Sequence, residues 1–401
     1  MSKEKPKILF VAFPFSIHTA RWLGQLECLE WDIHLFSSMT GKLPHKNIRQ
    51  VTFHEQFYHM PTGHPFNFRP LSFPFLSWTR NWGLNKFFRR AIQSTGLEKG
   101  RVSQLEELIK RIKPDIIHSF ETQHAGYLLR SVKKKWNGRF PFWIHSNWGI
   151  DLHYFGVLPE HAGKIRETLK GIDLLIVEGK RDEDLARKLG FNKEIVTIPS
   201  VGGGFKAPEI AMIPASARRT ILLKGAQDTV RRGLVALRAL ERCVEVLEGN
   251  EVVLYSSNEI TREAAAHFFA RTGKSVSILD DVSQEEMLQL NASARINITV
   301  NMSDGLPNSM LEAMMMGAFP IQSITSVADE WIQHGLTGML VPPEDPEQIE
   351  LAIRKSLSDD KMVDDAQVIN RAKILTELEY EKVRVQVIHL YKQAIVSHYS
   401  D

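Results

Sequence analysis

Residues 303–317 read SDGLPNSMLEAMMMG, a polar loop with Gly305 and Pro307 running into an apolar helix, with carboxylates at Asp304 and Glu312. Just before it, INITV at 296–300 alternates with a period of two and reads as a strand. Strand, loop and helix start in that order place backbone N–H groups and the positive end of a helix dipole where an anion can sit. A carboxylate in the first helical turn beside that anion suits the vicinal hydroxyls of a ribose, and sugar plus phosphate points to a nucleotide-linked ligand. The same letters carry a second reading. Ser309 and Glu312 have the spacing of a capping box, in which Glu312 only satisfies a free N–H at the helix start. The local pattern leaves both open.

Outward from this segment the chain alternates strand and helix. Strand patterns fall at 7–13, 31–37, 51–54, 115–120, 142–146, 174–178 and 195–199 in the first half. The second half offers 220–224, 252–256, 275–279, 296–300, 319–322 and 338–341. Helical periods lie between most of them, for example at 102–112, 233–247, 262–271 and 283–292. Such alternation predicts parallel sheets covered on both faces. GGGFKAPEIAMIPAS at 202–216 has no period, three glycines and two prolines, and reads as a linker. The expected fold is therefore α/β, two Rossmann-like doubly wound domains facing across a cleft, with ligands at the carboxyl ends of the strands. The domains are expected at 1–205 and 206–375, followed by a closing helical segment at 376–401 with a stripe of Val383, Val387, Leu390 and Tyr391.

Composition narrows the classes. A chain of 401 residues with 43% hydrophobic content has room for two or three domains. No apolar run approaches the roughly 18 residues of a membrane span, and MSKEKPKILFVAF reads as a first strand without a cleavage site. Two distant cysteines, Cys28 and Cys243, fit a reduced, cytoplasmic protein. A net charge of +3 is too slight to indicate nucleic acid. No Asp-x-Asp pair or histidine cluster has metal-ligand spacing, and Asp280-Asp281 and Asp359-Asp360 read as solvated loop or cap residues.

The stretch from Asp304 through Glu312 to Gly317 resembles the donor-site signature of the retaining, family-four glycosyltransferases of GT-B fold: an acid, seven residues, Glu, then Ala-Met and a Gly. Asp304 stands where the family usually has Glu. TILLKGAQDTVRRG at 220–233 is similar to the family's first donor-side loop, with Gly225 and Gly233 at its glycines and Arg232 at the basic residue that grips the diphosphate. Ala226 replaces a frequent second Arg, a charge that Arg231 or Lys224 is left to supply. The resemblance implies that Glu312 holds ribose and that Asp304 meets the transferred sugar as a catalytic residue. Gly305, Leu306 and Pro307 would then shape the pocket, while Asn308 and Ser309 present N–H groups to oxygens. It also implies metal-independent chemistry with no cofactor, a UDP- or GDP-type sugar acting as co-substrate, and return of the last helix to the first domain.

First-half motifs are looser. FPFSIHTARW at 13–22 resembles the family's His-x-x-Arg-Trp through His18, Arg21 and Trp22, without the paired glycines common there. IHSNWGIDL at 144–152 resembles a Trp-Gly-Ser-Asp variant, with Ile150 for Ser. Asp151 is expected to orient or deprotonate the acceptor hydroxyl, His145 competes for that role, and Trp148 would stack on a sugar. His118 matches a frequent family histidine, with a core histidine as the other reading, and Gly203 belongs to a hinge-side glycine cluster. The aromatic and basic run at 54–90, with Lys133-Lys134-Lys135-Trp136, suits either a peripheral contact with the inner face of a membrane or a buried acceptor loop. The resemblance implies sugar transfer to a glycan or glycolipid, with cell-surface polysaccharide synthesis the expected setting. Two rivals stand beside it: a nucleotide-sugar epimerase on the same fold, and a non-catalytic nucleotide-sugar-binding partner of a glycan assembly complex.

Overall fold

The computed structural model of the chain describes residues 5–55, 65–71, 100–199, 203–206, 208–280 and 282–400. Contacts divide it into two compact units, one formed by Met1–Gly203 with Val383–Asp401, the other by Gly204–Lys382.

The first unit holds β1 (Lys7–Ala12), β2 (Asp32–Ser37), β3 (Thr52–Glu55), β4 (Asn67–Pro70), β5 (Ile116–Phe120), β6 (Phe142–Ser146), β7 (Leu174–Val177) and β8 (Glu194–Thr197). They form one sheet in the order β4-β3-β2-β1-β5-β6-β7-β8, with every neighbouring pair parallel. Central strands such as KILFVA and IIHSF are buried on both faces, which is why they read as continuous apolar runs. The second unit holds β9 (Thr220–Lys224), β10 (Glu251–Tyr255), β11 (Val276–Ile278), β12 (Ala294–Thr299), β13 (Phe319–Ser323) and β14 (Met339–Val341). Its order is β11-β10-β9-β12-β13-β14, again parallel throughout. Each sheet reverses its strand order once, between β1 and β5 and between β9 and β12. Ligands gather outside the carboxyl ends of the strands at such reversals.

The faces of β12 are unlike. Ile296 and Ile298, followed by Val300, join Ile221, Leu223 and Leu254 in the main core of the second unit, whereas Asn297 and Thr299 turn the other way. The period-two pattern of INITV was thus a division between core and polar faces.

Several expected boundaries move. The helix expected over 233–247 stops at Arg242, because Cys243 takes φ −124°, and a single tight turn, Val244–Leu247, follows. β-branched Val244 and Val246 favour that exit from the helix. The helix expected from 262 starts at Glu259, where Asn258 precedes it as N-cap. Asp359 accepts the Met362 N–H (2.9 Å) and caps the helix Asp360–Glu377, as its cap reading predicted. β4 was not expected within the aromatic run; 56–64 and 72–90 of that run, with Gly202, Ala207 and Asp281, lie outside the described residues. Among the described residues, no helix is long and apolar enough to cross a membrane.

Candidate functional site

In the second unit two loops bracket the reversal between β9 and β12. The first leaves β9 at Gly225 and returns to the helix Gly233–Arg242. Both glycines are required by close approach: a Cβ at Gly225 would lie 1.9 Å from Leu254 Cδ1, and one at Gly233 would lie 2.1 Å from the Gly225 carbonyl oxygen. Inside the loop, Asp228 Oδ1 accepts the N–H groups of Val230 (2.9 Å) and Arg231 (2.8 Å), and Oδ2 accepts Arg231 Nε (2.7 Å). The loop is zipped to the segment after β12: Arg232 N donates to Val300 O (3.0 Å) and Met302 N to Val230 O (2.7 Å).

Arg232, expected as the diphosphate grip, has partners within the unit. Its Nη1 donates to the carbonyls of Asp228 (3.0 Å), Thr229 (3.3 Å) and Arg231 (3.2 Å), and its Nε to Glu344 (3.0 Å). The helix start is satisfied from within as well, Gly233 N donating to Ala226 O (3.0 Å) and Leu234 N to Gln227 Oε1 (3.2 Å). The side chain of Lys224, half-buried at the end of β9, has no hydrogen bond or ion pair among the described residues.

The second loop is held around Asp304. Asn301 Nδ2 donates to Asp304 Oδ2 (2.9 Å), and the Gly305 N–H donates to Asp304 Oδ1 (2.9 Å). The carboxylate is therefore fixed in direction. Leu306 and Pro307 are buried, as is Ser309, while Asn308 is half-buried.

The helix is Asn308–Met316, with Pro307 at the N-cap and no side-chain cap. Ser309 is thus its second residue and Glu312 its fifth, so the capping box allowed by the spacing does not form. Glu312 is 8% exposed on an otherwise buried helix. Beneath it runs a polar ladder: Tyr255 Oη donates to Asn297 Oδ1 (3.2 Å), Asn297 Nδ2 to Asn291 Oδ1 (2.8 Å) and Asn291 Nδ2 to Met287 O (2.8 Å). Burial pushes the Tyr255 hydroxyl up to about 12, and the Glu312 charge adds to the rise. The buried hydroxyls of Thr299 and Ser309 face the Tyr255 hydroxyl and hold part of that rise back.

The first unit gathers its polar residues at the carboxyl ends of β1, β5 and β6. His145 is fully locked, with Nδ1 2.7 Å from Ser119 Oγ and Nε2 3.0 Å from Thr122 Oγ1, and burial lowers it to about 3. Asp151 Oδ2 accepts Thr122 N (2.9 Å), Thr122 Oγ1 (3.1 Å) and Trp148 N (2.9 Å). Burial, and then the charge of Glu121, raise its carboxyl well above the ordinary range. Expected beside an acceptor hydroxyl, Asp151 and His145 are instead enclosed at 0% and 1% exposure, where their bonds join the strand ends. His118 is the core histidine of its second reading, bonded to Tyr391 Oη (2.5 Å) and Ser146 Oγ (2.9 Å). Gly203 is buried with φ +74°, where a Cβ would lie 2.6 Å from Gln25 Nε2.

What stays partly open is aromatic. Trp148 lies 5.8 Å from Phe13 and 5.7 Å from His18, Phe13 stacks on Phe15 at 5.6 Å, and His124 edges onto Phe13 at 5.0 Å. Glu121, which the sequence reading passed over, organises this end. It has φ +72°, unusual outside glycine, and its carboxylate accepts the His124 N–H (2.8 Å) and Nδ1 (3.0 Å) at the start of a π-turn, Thr122–Gly126. That pairing raises the His124 imidazole. An acid at the end of a strand, three residues before a histidine, was the available signal. Among the described residues no group of three or more His, Cys, Asp or Glu could hold a metal ion.

Comparison with known proteins bears on the class. Residues 218–359 match the family described as Glycosyl transferases group 1, and residues 87–178 match the one described as Glycosyl transferase 4-like. The sucrose-phosphate synthase from Thermosynechococcus elongatus superposes with a TM-score of 0.71 at 15% identity, over 98% of this chain and 100% of that one. Anabaena HepE in complex with UDP-glucose gives 0.65 at 12% identity, over 96% and 99%. A glycosyltransferase from Rickettsia africae gives 0.65 at 15% identity, over 98% and 99%. No curated protein matches the chain by sequence. At these identities the structural likeness is one of fold, and the fold is GT-B: two parallel α/β sheets with interleaved helices. The matched segments and the fold together support a glycosyltransferase.

Proposed function

We propose that this protein is a retaining glycosyltransferase of family-four type, which moves a sugar from a nucleoside diphosphate to an acceptor hydroxyl during cell-surface polysaccharide or glycolipid synthesis. The observation that carries the reading is Glu312, one turn inside a helix without a side-chain cap at the β9/β12 reversal. It lies within the segment that matches group-1 glycosyl transferases. A carboxylate there suits the two ribose hydroxyls, and the helix start suits phosphate. Asn301 and the Gly305 amide hold the Asp304 carboxylate, and in this reading it meets hydroxyls of the transferred sugar.

On the acceptor side, Trp148, Phe13 and His18 offer ring faces and an imidazole to a glycan. Retention follows if the leaving diphosphate, on the face where the acceptor attacks, takes the acceptor proton. Protein cations and N–H groups meet the diphosphate charge in place of a metal ion. Action at the inner face of a membrane belongs to the same proposal, and co-sedimentation with anionic liposomes tests it.

Calorimetric titration of UDP, GDP and ADP into the purified chain, repeated on Glu312→Ala, is the direct test. One nucleotide binding to the wild type and lost in the variant supports the reading. A folded chain that binds none overturns it. The anomeric configuration of the product, read by NMR, then decides retention.

A further inference from the structure

The loops that leave β1 and β2 meet at the carboxyl ends of those strands. Ser38 N donates to Ala12 O (2.9 Å) and His45 N to Pro14 O (2.8 Å), which ties the second loop onto the first. Neither loop brings an acid: residues 13–26 and 33–54 hold no Asp or Glu, although the whole chain carries 47 of them. The cations there include Arg21, Lys42 and Lys46. Burial lowers the His45 imidazole, and the charges of Lys46 and Arg21 lower it further, so both cations stand close to the second loop.

The aromatic group of the first unit runs between two cations. At one end the Lys42 ammonium lies 5.9 Å from the centre of the Phe15 ring. Phe15 stacks on Phe13, and His124 and Trp148 also pack on Phe13. Lys42 is exposed and has no acidic partner among the described residues. The His124 side chain is half exposed, while the Glu121 carboxylate that pairs with it is buried and also accepts the His124 and Ala125 amides. The acid is thus covered and the ring is open, and their pairing favours the protonated imidazole. A ligand lying on Phe13 and Phe15 meets accessible cations and no acid from the β1 and β2 loops.

A neutral glycan is served by ring faces and hydroxyl partners, and an ammonium beside the rings adds little to it. A sugar bearing a phosphate uses both features: its ring lies on an aromatic face, and its dianion takes charge-assisted hydrogen bonds. We propose that the acceptor taken by the first unit is a sugar or polyol that carries a phosphate, with Phe13 and Phe15 under its ring and Lys42 and His124 as the cations that select its charge. The proposal rests on the acceptor reading of the first unit and names the class of that acceptor. The same chemistry is offered by a free sugar phosphate and by a lipid whose headgroup is a polyol on a phosphate.

Calorimetry on the full chain with glucose, glucose 1-phosphate, glucose 6-phosphate and inorganic phosphate tests the free form. Flotation with phosphatidylcholine vesicles carrying phosphatidylinositol, or phosphatidylserine at equal charge, tests the lipid form. The sugar phosphates, or the phosphatidylinositol vesicles, are expected to bind about tenfold or more tighter than glucose or the phosphatidylserine vesicles. That preference is expected to be lost in Lys42→Met and in His124→Gln and kept in Lys42→Arg, with the melting temperature of each variant showing that it folds. A wild-type chain without the preference, or a preference that survives both variants, overturns the proposal. Inorganic phosphate binding as tightly as the sugar phosphates overturns it as well, and equal binding to both anionic vesicles alone shows charge-driven membrane adsorption instead. No nucleotide is present in these titrations. A chain that binds sugar phosphate but no UDP, GDP or ADP therefore fails the donor reading and leaves this proposal standing, and the reverse result removes this proposal alone.

Discussion

His118 Nδ1 and Tyr391 Oη lie 2.5 Å apart although 273 residues separate them in the chain, and Trp22 Nε1 donates to the same hydroxyl at 2.9 Å. One buried hydroxyl thereby joins the helix Tyr380–Ser400 to β5 and to the helix Ile17–Gly24. Tyr391→Phe keeps the ring and leaves two buried polar nitrogens unpaired. It is expected to destabilise the first unit by about 1–3 kcal/mol, read as a lower urea midpoint with little change in slope.

Stability should fall in mild acid. Burial holds His145 at about 3, His54 at about 2 and His118 well below its ordinary value, so the folded chain keeps them neutral. Above about pH 6.5 both states are neutral and stability is whole; below it the unfolded chain binds protons that the folded chain refuses. Each group contributes a slope of up to about 1.4 kcal/mol per pH unit. His124, raised by Glu121, acts in the opposite sense and offsets part of the loss. Urea midpoints from pH 8 to pH 5 measure the balance, and a flat profile would contradict the burial of these rings.

Asp151 has the opposite linkage to the buried histidines. Its raised carboxyl contributes stability below the unfolded value near 3.8, and that contribution is lost as pH rises towards the folded value. Asp151→Asn keeps an acceptor oxygen for Thr122 and Trp148 without a charge to bury. Its melting temperature at pH 8 is expected to equal or exceed that of the wild type. A marked fall would show that the ionised carboxylate is needed.

Glu312 and Gly233 separate site from scaffold. Because Glu312 is the fifth helical residue, past the cap positions, Glu312→Gln, which keeps an acceptor oxygen, is expected to cost less than about 1 kcal/mol of stability while nucleotide binding drops about tenfold or more. Gly233→Ala forces a Cβ to within 2.1 Å of backbone. The loop must shift, at about 2 kcal/mol or more, so a thermal melt should reveal it before any binding assay does.

The β-α alternation and the strand–loop–helix order around β9 and β12 were legible in the sequence, because buried parallel strands and helix faces write their periods locally. The boundaries that moved, at Arg242 and at Asn258, depend on a single exit dihedral and a single cap. Whether Glu312 closes a capping box was open in the letters and settled by where the helix starts, at Asn308.

What the sequence could not state is which polar groups already have partners. Arg232 and Lys224 are both basic residues in one loop region. Only the fold brings Glu344 and three carbonyls to the first and leaves the second unpaired among the described residues. Asp151 and His145 sit in a motif that suggests exposure, yet long-range packing of β5 against β6 encloses them. Residue type and spacing determine the elements and the chemistry on offer. Burial and pairing depend on contacts between distant segments, and these decide which of that chemistry remains available to a ligand.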